Sequence, residues 1–228
     1  MPSVRSVDLD NEIAKLGQVF ANPLRVRILE LLTQGERSVD EIRERLSVPL
    51  TTVSSQLTVL KQARLVDTRR EAQRIHYRLA DESVVAALLA LRELAQERSL
   101  EAQQLVREFL EDTKNLEQID SDRLYARLRK GDTVLIDVRP RDEFESGHIP
   151  GAISLPVDEI EARVSELPRN ARVVAYCRDA YCVLAPSAVR AIRKFGVAGE
   201  RLDIGYAEWL AKGRPIEIAQ EEQKESAA

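Results

Sequence analysis

The stretch SVDEIRERLSVPLTTVSSQLTVLKQ, residues 38–62, decides the fold of the first half of this 228-residue chain. Ser38, followed three positions later by Glu41, is a capping box, and Val39, Ile42 and Leu46 then recur on one helical face. Ser47-Val48-Pro49 interrupts that helix and another begins at about Leu50, with Val53, Leu57 and Leu60 as its buried stripe. Thr51, Ser55, Thr58 and Gln62 fall on the opposite side. Upstream, Asn22 caps and Pro23 opens a helix with Leu24, Ile28, Leu31 and Leu32 on one face. Downstream, residues 65–70 and 74–79 alternate apolar and polar around Glu71-Ala-Gln73, which predicts a hairpin although no Gly marks its turn.

Two helices on a tight turn followed by a β-hairpin form a winged helix-turn-helix. A helix whose outer face carries small hydroxyl and amide groups can approach base edges and phosphates closely. Residues 61–78 hold six cations (Lys61, Arg64, Arg69, Arg70, Arg74, Arg78) against Asp67 and Glu71, a local surplus of four. The whole chain has a formal net charge of −4, so affinity for nucleic acid has to come from this patch rather than from overall charge. The expected DNA contacts are Thr51, Thr52, Ser54, Ser55, Thr58, Lys61, Arg69, Arg70 and Arg74.

The runs Ala21-Asn-Pro-Leu-Arg, Thr52-Val-Ser-Ser-Gln-Leu-Thr-Val-Leu-Lys, Leu65-Val66 and Tyr77-Arg-Leu79 resemble the ArsR/SmtB family of small bacterial repressors over roughly residues 10–100. The resemblance implies a homodimer built through the first and last helices of the domain, here about Leu9–Phe20 and Glu82–Leu110. The apolar spacing of Val84, Leu88, Leu91 and Leu94 fits a packed helix there. Arsenic and cadmium sensors of the family carry cysteines where this chain has Ser38, Val39 and Asp40. The only histidines are His76, in the wing, and His148, in the other half. A soft-metal site in this half is therefore not expected, and neither metal nor cofactor is assigned.

In the second half, Thr133-Val-Leu-Ile-Asp-Val138 and Arg172-Val-Val-Ala-Tyr176 read as buried parallel strands, and a helical pattern runs from Val183 to Phe195. The second strand stops at Cys177, and Cys177-Arg-Asp-Ala-Tyr-Cys182 leads into that helix. Inward amides and a helix N-terminus at such a turn favour a thiolate, and Arg178 beside it adds positive charge. The chain has two cysteines in all, too few for a secreted disulfide scaffold.

Asp137-Val-Arg139, Glu143-Phe144, Gly147-His-Ile-Pro-Gly-Ala152, Tyr176-Cys177-Arg178 and Gly205-Tyr-Ala-Glu-Trp209 resemble the rhodanese family of sulfurtransferases across about residues 121–217. The resemblance implies a doubly wound α/β domain in which Cys177 takes sulfane sulfur and holds it as a persulfide. Asp137 and Arg139 would brace the site, and the N–H groups of residues 178–182 would cradle the sulfur. His148 is read as structural and Trp209 as core. Cys182 stands either as a packing residue or as a partner that resolves the Cys177 persulfide. Many active relatives have Gly within the loop and Arg or Thr at its end; this loop has Asp179 and Ala180 inside and Cys182 at its end, which argues against thiosulfate turnover. Val183 stands where related phosphatases and arsenate reductases carry an arginine.

The sequence thus predicts a multidomain chain, a mainly-α winged helix-turn-helix domain plus an α/β doubly wound rhodanese-like domain. The expected divisions are a DNA-binding and dimerisation domain at 1–112, a linker at 113–120, the rhodanese-like domain at 121–219 and a flexible tail at 220–228. With no long apolar run or apolar leader, a cytoplasmic protein without membrane contact is expected. The expected partners are double-stranded DNA, a second copy of the chain, and a sulfane-sulfur donor or other thiol-reactive small molecule. Two functions compete: a repressor that senses reactive sulfur, redox state or arsenic through the cysteine loop, and a thiosulfate or persulfide sulfurtransferase with an autoregulatory DNA-binding domain. A plain metal-sensing repressor lacks the ligands.

Overall fold

A computed structural model describes residues 4–131, 133–168 and 172–219; the expected tail at 220–228 lies outside them. The chain divides into two compact units, Met1–Leu88 and Leu89–Ala228.

In the first unit, α1 (Val4–Phe20) precedes α2 (Pro23–Leu32), β1 (Arg37–Ser38), α3 (Val39–Leu46), α4 (Leu50–Gln62) and the strands β2 (Val66–Glu71) and β3 (Arg74–Leu79). The Asn22 side chain accepts the amides of Leu24 and Arg25, and Ser38 and Glu41 form the capping box. Ile28, Leu29, Ile42, Val53, Leu57 and Leu60 are fully buried and make the core, so the apolar stripes face inward as the periodicity predicts. The hairpin turns on Ala72 and Gln73, with Glu71 kept in the strand. Ala72 takes the left-handed conformation (φ 52°) that glycine usually supplies. A third strand, β1, pairs antiparallel with β3 through Arg37–Tyr77 and Ser38–His76, giving the sheet order β1-β3-β2.

Arg25 ties this unit together. Its guanidinium donates to the carbonyls of Val19 (2.6 Å) and Gln18 (2.8 Å) and to Gln56 Oε1 (3.0 Å), joining the α1–α2 corner to α4. Arg25→Ala removes three charge-assisted bonds and is expected to lower the stability of this unit by about 2 kcal/mol, read as the midpoint of helical-signal loss in urea.

Helix α5 (Glu82–Arg98) starts in the first unit, where Val84, Val85 and Leu88 are buried, and continues into the second. There follow α6 (Leu100–Thr113), β4 (Gln118–Ile119), α7 (Ser121–Leu128), β5 (Thr133–Asp137), α8 (Arg141–Ser146), β6 (Ile153–Ser154), α9 (Ile160–Arg163), β7 (Arg172–Tyr176), α10 (Leu184–Lys194), β8 (Gly199–Leu202) and α11 (Tyr206–Ala211). The five strands pair in parallel in the order β4-β8-β7-β5-β6. Alternation along β5 and β7 sends Ile136, Val173 and Ala175 into one core with α9 and α10. It sends Leu135, Val174 and Tyr176 into another with α7 and α11. Both faces of the sheet are covered, as a doubly wound domain requires. The second compact unit begins at Leu89. Within it α6 is held by Arg190, whose Nη2 donates to the carbonyl and carboxylate of Asp112 at 2.6 and 2.7 Å.

Candidate functional site

Two sets of functional residues can be placed, one in each unit. On α4, Thr51, Ser54, Ser55 and Thr58 are exposed and Thr52 is half-buried. The hydroxyls of Ser55 and Thr58 donate to the carbonyls of Thr52 and Ser54, which keeps them against the helix and leaves their lone pairs outward. Lys61 Nζ donates to Thr68 Oγ1 on β2 (3.0 Å), linking helix to wing. The arginines of the wing are not equivalent. Arg69 is held by Glu36 (2.7 Å) and Glu71 (3.0 Å), and hydrogen bonding to these carboxylates, Glu36 first, raises its pKa. Arg70 donates from Nε to the Ala72 carbonyl (3.2 Å), and neither it nor Arg74 pairs with a carboxylate among the described residues. Free positive charge thus concentrates at the tip of the hairpin. The role of Glu36 was hidden because it lies 33 residues from Arg69.

The second set surrounds the loop between β7 and α10. Asp137 and Arg139 are fully buried and doubly bonded: Arg139 Nε donates to both Asp137 oxygens at 3.0 Å and Nη2 to Oδ2 at 2.6 Å. Arg139 also donates to the Gly147 carbonyl (2.7 Å) and lies over the Tyr206 ring, 4.1 Å from its centroid. Burial works most strongly against its charge, but the Asp137 hydrogen bonds together with the charge of Asp137 and smaller contributions from Tyr176 and Glu143 outweigh it and raise its pKa. Tyr176, the residue before Cys177, donates its hydroxyl to Asp137 Oδ2 (2.5 Å) and accepts the Ile149 amide (3.0 Å). Burial first, then Asp137, pushes that phenol well above its usual pKa, so it stays a donor. Asp137, held by Arg139, therefore reaches the cysteine through Tyr176, the residue ahead of it. His148 is buried, bonded through Nδ1 to the Phe144 carbonyl (2.9 Å) and stacked on Phe144, and Trp209 is core.

Cys177 and Cys182 are joined by a disulfide, with Cα atoms 6.1 Å apart. Cys177 is 1% exposed, whereas Cys182 is half-buried. The loop amides differ from the sulfur cradle expected. The Ala180 amide donates to Glu208 Oε1 (3.3 Å), that of Tyr181 to Asp179 Oδ1 (2.8 Å) and that of Cys182 to the Asp179 carbonyl (3.2 Å). The loop's own carboxylate and one from α11 occupy donors that an external anion would need. Arg178, read from sequence as added positive charge, is bound through Nε (2.8 Å) and Nη2 (2.6 Å) by the fully buried Glu143. Burial raises the Glu208 pKa despite the Gly205 and Ala180 amides that it accepts. The start of α11 meets the loop directly: Tyr206 and Ala207 amides donate to the Cys177 and Arg178 carbonyls, both at 2.9 Å. A Cβ at Gly205 would collide with the Asp179 backbone. Glu143, Tyr176, Gly205 and Glu208 are the residues that sequence reasoning missed as parts of this site, although all four lay within quoted motifs.

Comparison with known proteins gives the two halves a common setting. Residues 20–69 match the helix-turn-helix domain family and residues 120–212 the rhodanese-like domain family. The HTH-type transcriptional regulator Rv0324 of Mycobacterium tuberculosis is 40% identical over 215 residues, 94% of each chain. This chain belongs to that family of HTH-type transcriptional regulators. In it an ArsR/SmtB-type winged helix-turn-helix is joined to a rhodanese-like domain. The biofilm growth-associated repressor of Agrobacterium fabrum is 44% identical over 80 residues, 35% of this chain and 68% of that one. A sulfurtransferase of Allochromatium vinosum is 43% identical over 63 residues, 27% of this chain and 59% of that one. Among the described residues of this HTH-type regulator, no helix is long and apolar enough to cross a membrane.

Proposed function

We propose that this regulator is a repressor that binds duplex DNA as a homodimer through α4 and the wing, and that the state of the Cys177–Cys182 pair sets its affinity. The observation that carries the reading is the loop itself: two cysteines within bonding reach, beside amides already taken by carboxylates. A site of that kind suits capture and release of sulfur or electrons on the protein better than repeated turnover of an anionic donor such as thiosulfate. Reactive sulfur and thiol oxidants are the effectors that fit; an arsenic species would require the pair reduced. Dimerisation is supported by apolar stripes left open on α1 (Leu9 61%, Ile13 58%, Leu16 42% exposed) and on α5 (Leu91 43%, Leu94 52%).

Gel-shift titrations of wild type, Cys177→Ser and Cys182→Ser, reduced and after treatment with a persulfide donor, test this. Affinity of the wild type is expected to change about tenfold, within the roughly 1–3 kcal/mol common for coupled sites, and neither variant should respond. Unchanged wild-type affinity with both cysteines demonstrably oxidised removes the switch. The sulfurtransferase reading is favoured by the rhodanese-like match at 120–212, and sustained thiocyanate formation from thiosulfate and cyanide would establish it in place of the switch.

A further inference from the structure

Inside the second unit a cavity of about 560 Å³ opens beside the cysteine loop. Its walls are largely apolar, with Leu105, Val106 and Phe109 of α6 facing Tyr181 and Cys182 of the loop. Phe109 and Tyr181 meet edge to face, ring centroids 5.6 Å apart. The polar groups around it are engaged: Arg178 by Glu143, the Tyr181 hydroxyl by Gln96 Oε1 (3.2 Å), and Arg92, which faces the Asp179 carboxylate at 3.5 Å. Both cations of that lining, Arg92 and Arg178, already face carboxylates, so it holds no surplus positive charge for an incoming anion. The two sulfurs also differ in access, since Cys182 lines the cavity and Cys177 is packed in the core beneath.

We propose that this cavity is the entry port for uncharged, apolar persulfides and disulfides, which react first at Cys182, with the buried Cys177 as the second thiol. The proposal rests on the cysteine-switch reading and adds to it the order of the thiols and the class of reactant. With the pair reduced, the Cys182 thiolate attacks the outer sulfur of R–S–SH. The S–S bond of the donor breaks, and R–S⁻ departs with the electron pair and takes a proton from solvent. The Cys177 thiolate then attacks Cys182 Sγ, forming the protein disulfide and expelling hydrosulfide. Two protein thiols are oxidised, and one persulfide is reduced to a thiol and hydrogen sulfide. With R–S–S–R the same two attacks release two thiols, through a mixed disulfide on Cys182. Exchange rates follow thiol access as well as thiolate character, so the more accessible sulfur, Cys182, reacts first.

The test uses the reduced full-length variants Cys177→Ser and Cys182→Ser with two probes, neutral dithiodipyridine and dianionic dithiobis(nitrobenzoate), following the released chromophore. Cys182 in the first variant is expected to react at least about tenfold faster than Cys177 in the second. Its preference for the neutral probe should exceed that of free cysteine. Leu105 lines the cavity but is 67% exposed, so Leu105→Asp places a charge there without burying it and should slow the neutral probe at Cys182 several-fold. Fluorescence of Trp209 confirms that each variant keeps the folded second unit. A Cys177 that reacts as fast as Cys182, or a probe preference equal to that of free cysteine, overturns the proposal. DNA affinity of the wild type, measured on the same treated samples, separates it from the reading beneath it. A change in affinity with Cys177 reacting first overturns the port and keeps the switch; Cys182 reacting first without any change in affinity supports the port and removes the switch.

Discussion

Arg139→Ala is expected to lower the stability of the second unit by about 3–5 kcal/mol, the range for breaking one half of a buried ion pair. The residue has no exposed surface, and its loss strands the equally buried Asp137 carboxylate. It also frees the Gly147 carbonyl and removes the cation from the face of Tyr206. The reporter is built in: the chain has a single tryptophan, Trp209, fully buried in this unit with its indole N–H on the Pro215 carbonyl. Urea unfolding followed by its fluorescence should show a large fall in midpoint. Removing both charges in Asp137→Asn/Arg139→Met is expected to cost less than the sum of the single changes, because no buried ion is left without a partner. Additive losses would mean that the pair acts through packing alone.

Arg70→Ala combined with Arg74→Ala is expected to produce the largest change in DNA binding. These are the wing arginines without a carboxylate partner among the described residues, whereas Arg69 is held between Glu36 and Glu71. If each contacts one phosphate, the slope of log affinity against log salt falls by about 0.9 per contact, or roughly 1.8 per protomer. At about 0.1 M salt that corresponds to a loss on the order of 60-fold per protomer, shrinking as salt rises. Arg69→Ala should have a much smaller effect on the slope. Equal slopes for the wild type and the double variant would place the phosphate contacts elsewhere.

Local signals in the sequence were a good guide to the elements. The Asn22-Pro23 start, the Ser38–Glu41 capping box and the stripe Val53, Leu57, Leu60 each concern residues within one turn or a few turns of each other. The strands at 133–137 and 172–176 were legible because both faces of a parallel sheet are buried, so their residues run apolar. The features that escaped are long-range. The two-residue strand Arg37–Ser38 is too short to show a period and exists only because β3 lies beside it. Glu143 and Arg178 are 35 residues apart, and Glu208 lies 28 from the Ala180 amide that it accepts. The sequence leaves the pairing of the cysteines open, because a five-residue separation permits a bond without requiring one. Whether the sulfurs meet depends on how the loop is folded, and that is fixed by α11 and by Tyr176.

Gly205 extends that dependence beyond the cysteines. The start of α11 lies so close to the loop that no side chain fits there, yet residue 205 is 23 positions beyond Cys182. A survey of genomes that scores such chains by cysteine spacing alone would count as competent any chain with a bulkier residue at this point. In such a chain both thiols would be present and their meeting place deformed. In the laboratory the same position offers a separation-of-function allele: Gly205→Val keeps every sulfur atom and every residue of α4 and the wing while detuning the loop. On the cysteine-switch reading proposed above, its bearer would occupy its operator and be deaf to the signal, a phenotype distinct from deletion of the gene.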